Sequence, residues 1–190
     1  MSTEDRESLK RDVNVIFHCA ATVRFDKSPV GLSNAVKINV RGLKEVMTLA
    51  REMKGLVSFV HVSSAYVHCH LQGEVIQEKI YPSEKHTVRD VLKVCEEIPS
   101  EALTRELIGE RPNTCHFSKA MAEQLLKEEC GTLPISVVRP TIVMGALKEP
   151  IPGWVVNMDT VTCELGIIYY YNSRYRVTHH DVPNLPLSIY

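Results

Sequence analysis

Three short apolar runs divide the chain: 13–19, 56–62 and 134–138. Each is too short for a helix and carries β-branched residues, which predicts buried strands of a parallel sheet. The stretch between the first two follows a helical period. Residues 33–53 place Leu43, Val46, Met47, Leu49 and Ala50 on one stripe, with Lys44, Glu45, Arg51 and Glu52 outside it. Between the second and third runs, 73–111 is polar and helix-rich, broken at Tyr81-Pro82 and Ile98-Pro99. Val91, Leu92, Val94 and Cys95 form one weak stripe there, and Leu103, Leu107 and Ile108 another. Pro112 and Asn113 then start an amphipathic helix whose stripe is Phe117, Met121 and Leu125. Residues 1–11 read as a charged lead-in, either a helix end or a loose terminus. Strands alternating with helices predict an α/β fold on a parallel sheet.

Ligands in such sheets collect beyond the carboxyl ends of the strands. The first run ends in His18-Cys19-Ala20-Ala21, where small residues allow a planar ligand close to the backbone; His18 reads equally as a core histidine. The second ends in Ser63-Ser64-Ala65-Tyr66. A hydroxyl placed there can donate to a carbonyl oxygen and stabilise developing charge. On the third helix, Cys115 and Lys119 stand four residues apart and share a face. In an oxidoreductase site such a lysine would bind the cofactor ribose and lower the pKa of the proton donor beside it. The ordinary alternative is a solvated lysine. Asn39 sits inside a helix without help from propensity, and its ordinary alternative is a solvated position.

Composition narrows the classes. A net charge of -1 gives no electrostatic case for nucleic acid. No apolar run is long enough to span a bilayer, and the polar start does not resemble a secretory signal. The six cysteines form no C-x-x-C pair and read as reduced thiols of an intracellular compartment. His61, His68, Cys69 and His70 match no zinc spacing, and alternate residues of an extended chain face opposite ways, so no metal site is expected.

The motifs, taken in order, resemble the alcohol-forming fatty acyl-CoA reductases, a branch of the extended short-chain dehydrogenase/reductases. They are Thr22-Val23-Arg24-Phe25-Asp26, Ser63-Ser64-Ala65-Tyr66, Pro112-Asn113-Thr114 leading to Phe117-Ser118-Lys119-Ala120, Arg139-Pro140-Thr141-Ile142-Val143, and Glu149-Pro150-Ile151-Pro152-Gly153-Trp154. The resemblance runs from about Glu4 to Met158. It implies reduction of a long-chain fatty acyl-CoA to a fatty alcohol by NADPH. By that resemblance Ser64 polarises the substrate oxygen, and Lys119 holds the nicotinamide ribose. Ala20 and Ala21 line the adenosine half, Asn39 orders the active-site backbone, and Pro140 and Val143 lie near the nicotinamide. The 73–111 insertion resembles a cap-like segment. The family is often peroxisomal or otherwise membrane-associated, and this chain carries no anchor of its own.

Two departures concern the chemistry. The family's tyrosine, four residues before the lysine, is replaced by Cys115. A thiol is acidic enough but its sulfur sits on the β-carbon, well short of a phenol oxygen, so strongly reduced activity is expected. His116 leaves the helix about 100° away, and no spacing argument supports Tyr66 as a substitute. The second departure is that no T-G-x-x-G-x-x-G turn occurs. The fold expected is therefore a partial Rossmann-like parallel sheet lacking its first strands and glycine-rich loop, with exposed strand edges. Residues 1–158 would form a partial NAD(P)-binding reductase domain, and 159–190 a divergent tail.

Two rival readings stand beside this one, the first of a different class. One is a non-catalytic acyl-CoA-binding or interaction protein on the same scaffold. The other is an extended reductase acting on a sugar nucleotide or a steroid, against which the Pro-Asn-Thr and Glu-Pro-x-Pro-Gly-Trp runs speak.

Overall fold

The computed structural model describes residues 1–154 apart from Gln72, Glu74 and Glu84. The expected boundary at Met158 and the 159–190 tail lie outside the described residues. The chain divides into two compact units, Met1–Thr141 and Ile142–Tyr190. In the described part of the second, the Ala146 N–H donates to the Trp154 carbonyl at 2.9 Å and the Gly153 N–H to the Ala146 carbonyl at 2.7 Å.

The first unit opens with α1 (Thr3–Asp12), so the charged lead-in is a helix. Ser2 caps it, and Ser2 and Asp5 exchange side-chain and backbone hydrogen bonds in a capping box. Strand β1 (Val15–His18) follows. Helix α2 (Pro29–Val36) starts at the Ser28 cap with Pro29 in its first turn, runs through a π-helical turn (Lys37–Arg41) and continues as α3 (Gly42–Ala50). The helix expected over 33–53 thus begins four residues earlier and carries a π turn around Asn39. Strand β2 (Ser58–Val62) leads into a 3₁₀ turn (Ala65–His68). The 73–111 insertion holds α4 (Val88–Val94) and α5 (Glu101–Ile108), and α6 (Thr114–Glu129) precedes β3 (Ile135–Val138).

The three strands are parallel in the order β1-β2-β3, with His18 opposite His61 and His61 opposite Val137. The helices of both crossovers pack into one core on a single face of the sheet. Phe59 enters that core with Leu32, Val36, Val40, Met47, Phe117, Met121 and Leu125, while Ile16, Ile135 and Val137 pack against it. The opposite face is less covered: Phe17 is 70% exposed and Val138 48%. β1 is therefore buried on one side only, a correction to the run read as fully buried.

Helix α6 differs from its expected amphipathic form. Its stripe of Phe117, Met121 and Leu125 is buried as read, but so is every residue from Thr114 to Leu126 except His116. Ser118, Glu123 and Gln124 on it are hydrogen-bonded to protein groups rather than turned to water.

Candidate active site

The site assembles where β1 and β2 end and α6 begins. Asn113 starts α6 by accepting the His116 N–H on its side-chain oxygen at 3.0 Å. The loop after β1 is tied to that start, since the Thr114 N–H donates to the Asp26 carbonyl at 2.9 Å.

Lys119 is buried, at 7% exposure, and its ammonium donates to the Val62 carbonyl at 2.8 Å. The solvated alternative is ruled out by that geometry. Burial lowers its pKa, against the opposing pull of Cys115, Cys19 and Glu123. An ammonium has three donors, and this bond uses one.

Ser64 lies two residues beyond that carbonyl, half-buried. Its hydroxyl oxygen accepts the Tyr66 N–H at 3.2 Å, which leaves the proton free to be donated elsewhere. Ser63 is buried, and its hydroxyl donates to Glu123 Oε1 at 2.5 Å. Pro140 is brought to the same turn: its carbonyl accepts the Ala65 N–H at 2.9 Å.

Asn39 is buried in the π turn, where irregular helix often accompanies a functional site. Its side-chain oxygen accepts the Thr22 N–H at 2.8 Å. Its amide donates to the Thr22 carbonyl at 3.1 Å and to Ser118 Oγ at 2.9 Å. The solvated reading of Asn39 does not hold. Ala20 is exposed and Ala21 half-buried in the segment that leads to this clamp. Val143 belongs to the second unit and is 71% exposed.

Cys115 is buried, and its thiol donates to the Thr22 carbonyl at 3.8 Å. Burial raises its pKa, and the charge of Lys119 offsets this only in part. The expected depression of the donor's pKa by the lysine is therefore outweighed, and the thiol stays protonated. His116 turns away: its Nδ1 lies 2.8 Å from Asn113 Oδ1 and its ring stacks on Phe25.

His18 is in the core, its Nδ1 3.1 Å from Nδ1 of His61. Burial, the charge of Lys119 and His18 push the pKa of His61 down to about 3. His68 and His70, read as pointing opposite ways, lie in and just past a 3₁₀ turn with ring centroids 6.1 Å apart. Among the described residues no three metal-ligating side chains cluster, and no helix is long and apolar enough to cross a membrane.

Four residues here were not singled out from the sequence: Ser118, Glu123, Gln124 and Arg139. Glu123 had a signal, since it stands four residues after Lys119 on the same face. Gln124 ties the insertion to α6, accepting the Ser83 N–H at 2.9 Å and donating to the His86 carbonyl at 3.2 Å.

A parallel α/β sheet with a buried lysine, a serine turn and a clamped loop at its strand ends is a partial Rossmann-type arrangement. The chain belongs to the NAD-binding domain family described as male sterility protein, which it matches over residues 1–185. It is 40% identical over 161 residues to fatty acyl-CoA reductase 1 of Pongo abelii and, equally, to fatty acyl-CoA reductase 2 of Mus musculus. Each alignment covers 84% of this chain and 30% of the relative, so the chain spans about 30% of the length of these relatives. Among solved structures, its fold is similar to a thiolation-reductase di-domain of an archaeal non-ribosomal peptide synthetase. That likeness has a TM-score of 0.52 at 18% identity, covering 90% of this chain and 32% of the other.

Proposed function

We propose that the chain supplies the catalytic strand ends of an NADPH-dependent, alcohol-forming fatty acyl-CoA reductase, and that Cys115 leaves its turnover strongly reduced. The observation that carries this reading is the buried Lys119, with one donor on the Val62 carbonyl beside Ser63-Ser64. The residues fit a nicotinamide cofactor on the ribose side. Lys119 has donors to spare for a diol, and Ala20 and Ala21 offer backbone with little side chain in the way. Pro140 and Val143 are proposed to border the nicotinamide.

The reduced cofactor, when bound, supplies the hydride. Ser64 donates its hydroxyl proton to the substrate carbonyl oxygen and stabilises the charge that builds there. Lys119 holds the ribose and favours proton transfer by its charge. Asn39 fixes the Thr22 backbone, and through Ser118 it holds the first turn of α6. Cys115 stands at the proton donor's place, but its proton is directed to the Thr22 carbonyl and its pKa is raised by burial. Beside the serine turn an open cleft of about 740 Å³ is lined by Ala65, Ile76, Ile80, Val137 and Val138 and, equally, by the polar Gln77, Glu78, Lys79 and Arg139. Its apolar part would take the acyl chain.

The test is NADPH binding by calorimetry, followed by NADPH oxidation with a long-chain acyl-CoA before and after Cys115→Tyr. Saturable binding with little turnover, rising at least about tenfold in the variant, is expected from the usual 10²–10⁴-fold contribution of a positioned acid. Binding of acyl-CoA with no turnover in either chain would support the non-catalytic rival instead.

A further inference from the structure

We propose that Glu123 is a positioning residue for this reaction: anchored by Arg139, its carboxylate grips the Ser63 hydroxyl and thereby holds the Ser64 hydroxyl in register with Lys119. The proposal rests on the reductase reading of Ser64 and Lys119.

Helix α6 takes hold of the end of β2 at two successive turns. Lys119 donates to the Val62 carbonyl at 2.8 Å, and four residues later Glu123 accepts from Ser63 Oγ at 2.5 Å. On the other side β3 and the segment after it complete the grip. The Ser63 N–H donates to the Val138 carbonyl at 2.8 Å, and the Ala65 N–H to the Pro140 carbonyl at 2.9 Å. Val62, Ser63 and Ala65 are thus each held by another element. Ser64 makes only local contacts, its hydroxyl with the Tyr66 N–H and its carbonyl with the Val67 N–H. Its place is set by its neighbours.

Glu123 is fully buried, and a buried carboxylate must be paired. Arg139 does this with one edge of its guanidinium: Nε donates to Oε1 at 2.8 Å and Nη2 to Oε2 at 2.5 Å. Such two-point pairing fixes orientation as well as charge. Arg139 also donates to the Lys79 carbonyl at 2.8 Å, so the same ion pair ties down the insertion. Packing alone does not require this arrangement, because an apolar pair of similar volume fills such space at a lower desolvation cost. The carboxylate adds an acceptor for Ser63 Oγ that no apolar side chain provides. His68 Nε2 stands 3.7 Å from the same carboxylate, closing the remaining side.

The test reads the turn directly, by amide hydrogen exchange on the 190-residue chain. Ser63→Ala removes the grip and leaves the Glu123–Arg139 pair intact, whereas Ser63→Thr keeps the hydroxyl. In Ser63→Ala and in Glu123→Gln the amides of residues 63 and 65 should exchange at least ~10-fold faster, from the loss of a hydrogen bond to a charged group. In Ser63→Ala the amides of α6 and the centre of β2 should hold their protection, and Ser63→Thr should show the original rates. With NADPH and a fatty aldehyde, kcat should fall in Ser63→Ala with an unchanged KM for NADPH, and recover in Ser63→Thr. Unchanged exchange at 63 and 65 in both disrupting variants would overturn the proposal. So would equal kcat in Ser63→Ala and Ser63→Thr. No turnover by either the unsubstituted chain or Cys115→Tyr would overturn the reductase reading alone, and the exchange pattern would still decide whether the grip exists.

Discussion

At the end of β1 the chain is held by neutral groups, and at the end of β2 by charges. The first clamp is Asn39 on both backbone groups of Thr22, backed by Ser118 and flanked by the His18–His61 pair. The second is Lys119 on the Val62 carbonyl and the Arg139–Glu123 pair on Ser63. A neutral clamp can lose one bond and keep the rest. A buried ionic clamp cannot lose one member without stranding the other, so the two ends should fail differently.

The largest difference should come from Arg139→Met. It leaves the Glu123 carboxylate buried without its main partner, a change that costs about 3–5 kcal/mol in buried pairs. Urea denaturation should show that loss, and the double variant Arg139→Met with Glu123→Met should recover most of it. A double variant as unstable as the single would mean that packing, not charge, governs the β2 end. Next in size is Asn39→Leu. It leaves the Thr22 N–H, the Thr22 carbonyl and the Ser118 hydroxyl short of a partner at about 1–3 kcal/mol for an unsatisfied buried group. Because the carbonyl keeps the Cys115 thiol at 3.8 Å and Ser118 still donates to the Cys115 carbonyl at 3.0 Å, a net loss of about 2 kcal/mol is expected.

Acid separates the two ends by pH window. Burial first, then Lys119 and His18, hold the pKa of His61 at about 3, below the ordinary 6.5. His18 is lowered too, by burial and by Lys119. The unfolded chain therefore takes up protons that the folded one refuses. This contribution to stability is complete above pH 6.5 and is lost as pH falls toward 3. For Glu123, burial pushes upward, but His68, Arg139 and Ser63 outweigh it and bring the pKa from 4.5 down to about 2. Its contribution is lost only between pH 4.5 and 2. Between pH 6.5 and 4.5 the His18–His61 contact, which joins the ends of β1 and β2, should weaken while the Glu123 pair still holds. His61→Asn should flatten the stability profile there by up to about 1.4 kcal/mol per pH unit, as followed by thermal melting across pH. A profile unchanged by that substitution would remove His61 as the source.

The β1 end was easier to read in advance than the β2 end. Apolar runs marked all three strands to within a few residues; Ala20-Ala21 and Ser64 stood at strand ends, Asn39 against helix propensity, and Lys119 on one helix face with Cys115. Periodicity failed on α6, because it assigns polar side chains to water. Ser118, Lys119, Glu123 and Gln124 break the apolar stripe, yet each finds a partner on another element. Those partners are distant in sequence: Ser63 lies 60 residues before Glu123. Only the fold brings them together. β1 misled for a related reason, since a run of apolar residues does not say which face of a sheet the crossovers will cover.

The smallest expected effect tests whether the two clamps are independent. Ser118→Ala removes one of three bonds of Asn39, which keeps both of its contacts to Thr22. It should cost about 1 kcal/mol, the net worth of a typical buried hydrogen bond. Ser118 and Asn39 touch, so Asn39→Leu combined with Ser118→Ala should lose less than the sum, with a coupling of at least about 0.5 kcal/mol. Ser63 shares no partner with Asn39. Asn39→Leu combined with Ser63→Ala should therefore add to within about 0.5 kcal/mol in the same urea experiment. Coupling in that second pair would mean that α6 transmits strain between its two grips, one turn apart, and that the neutral and charged ends act as one clamp.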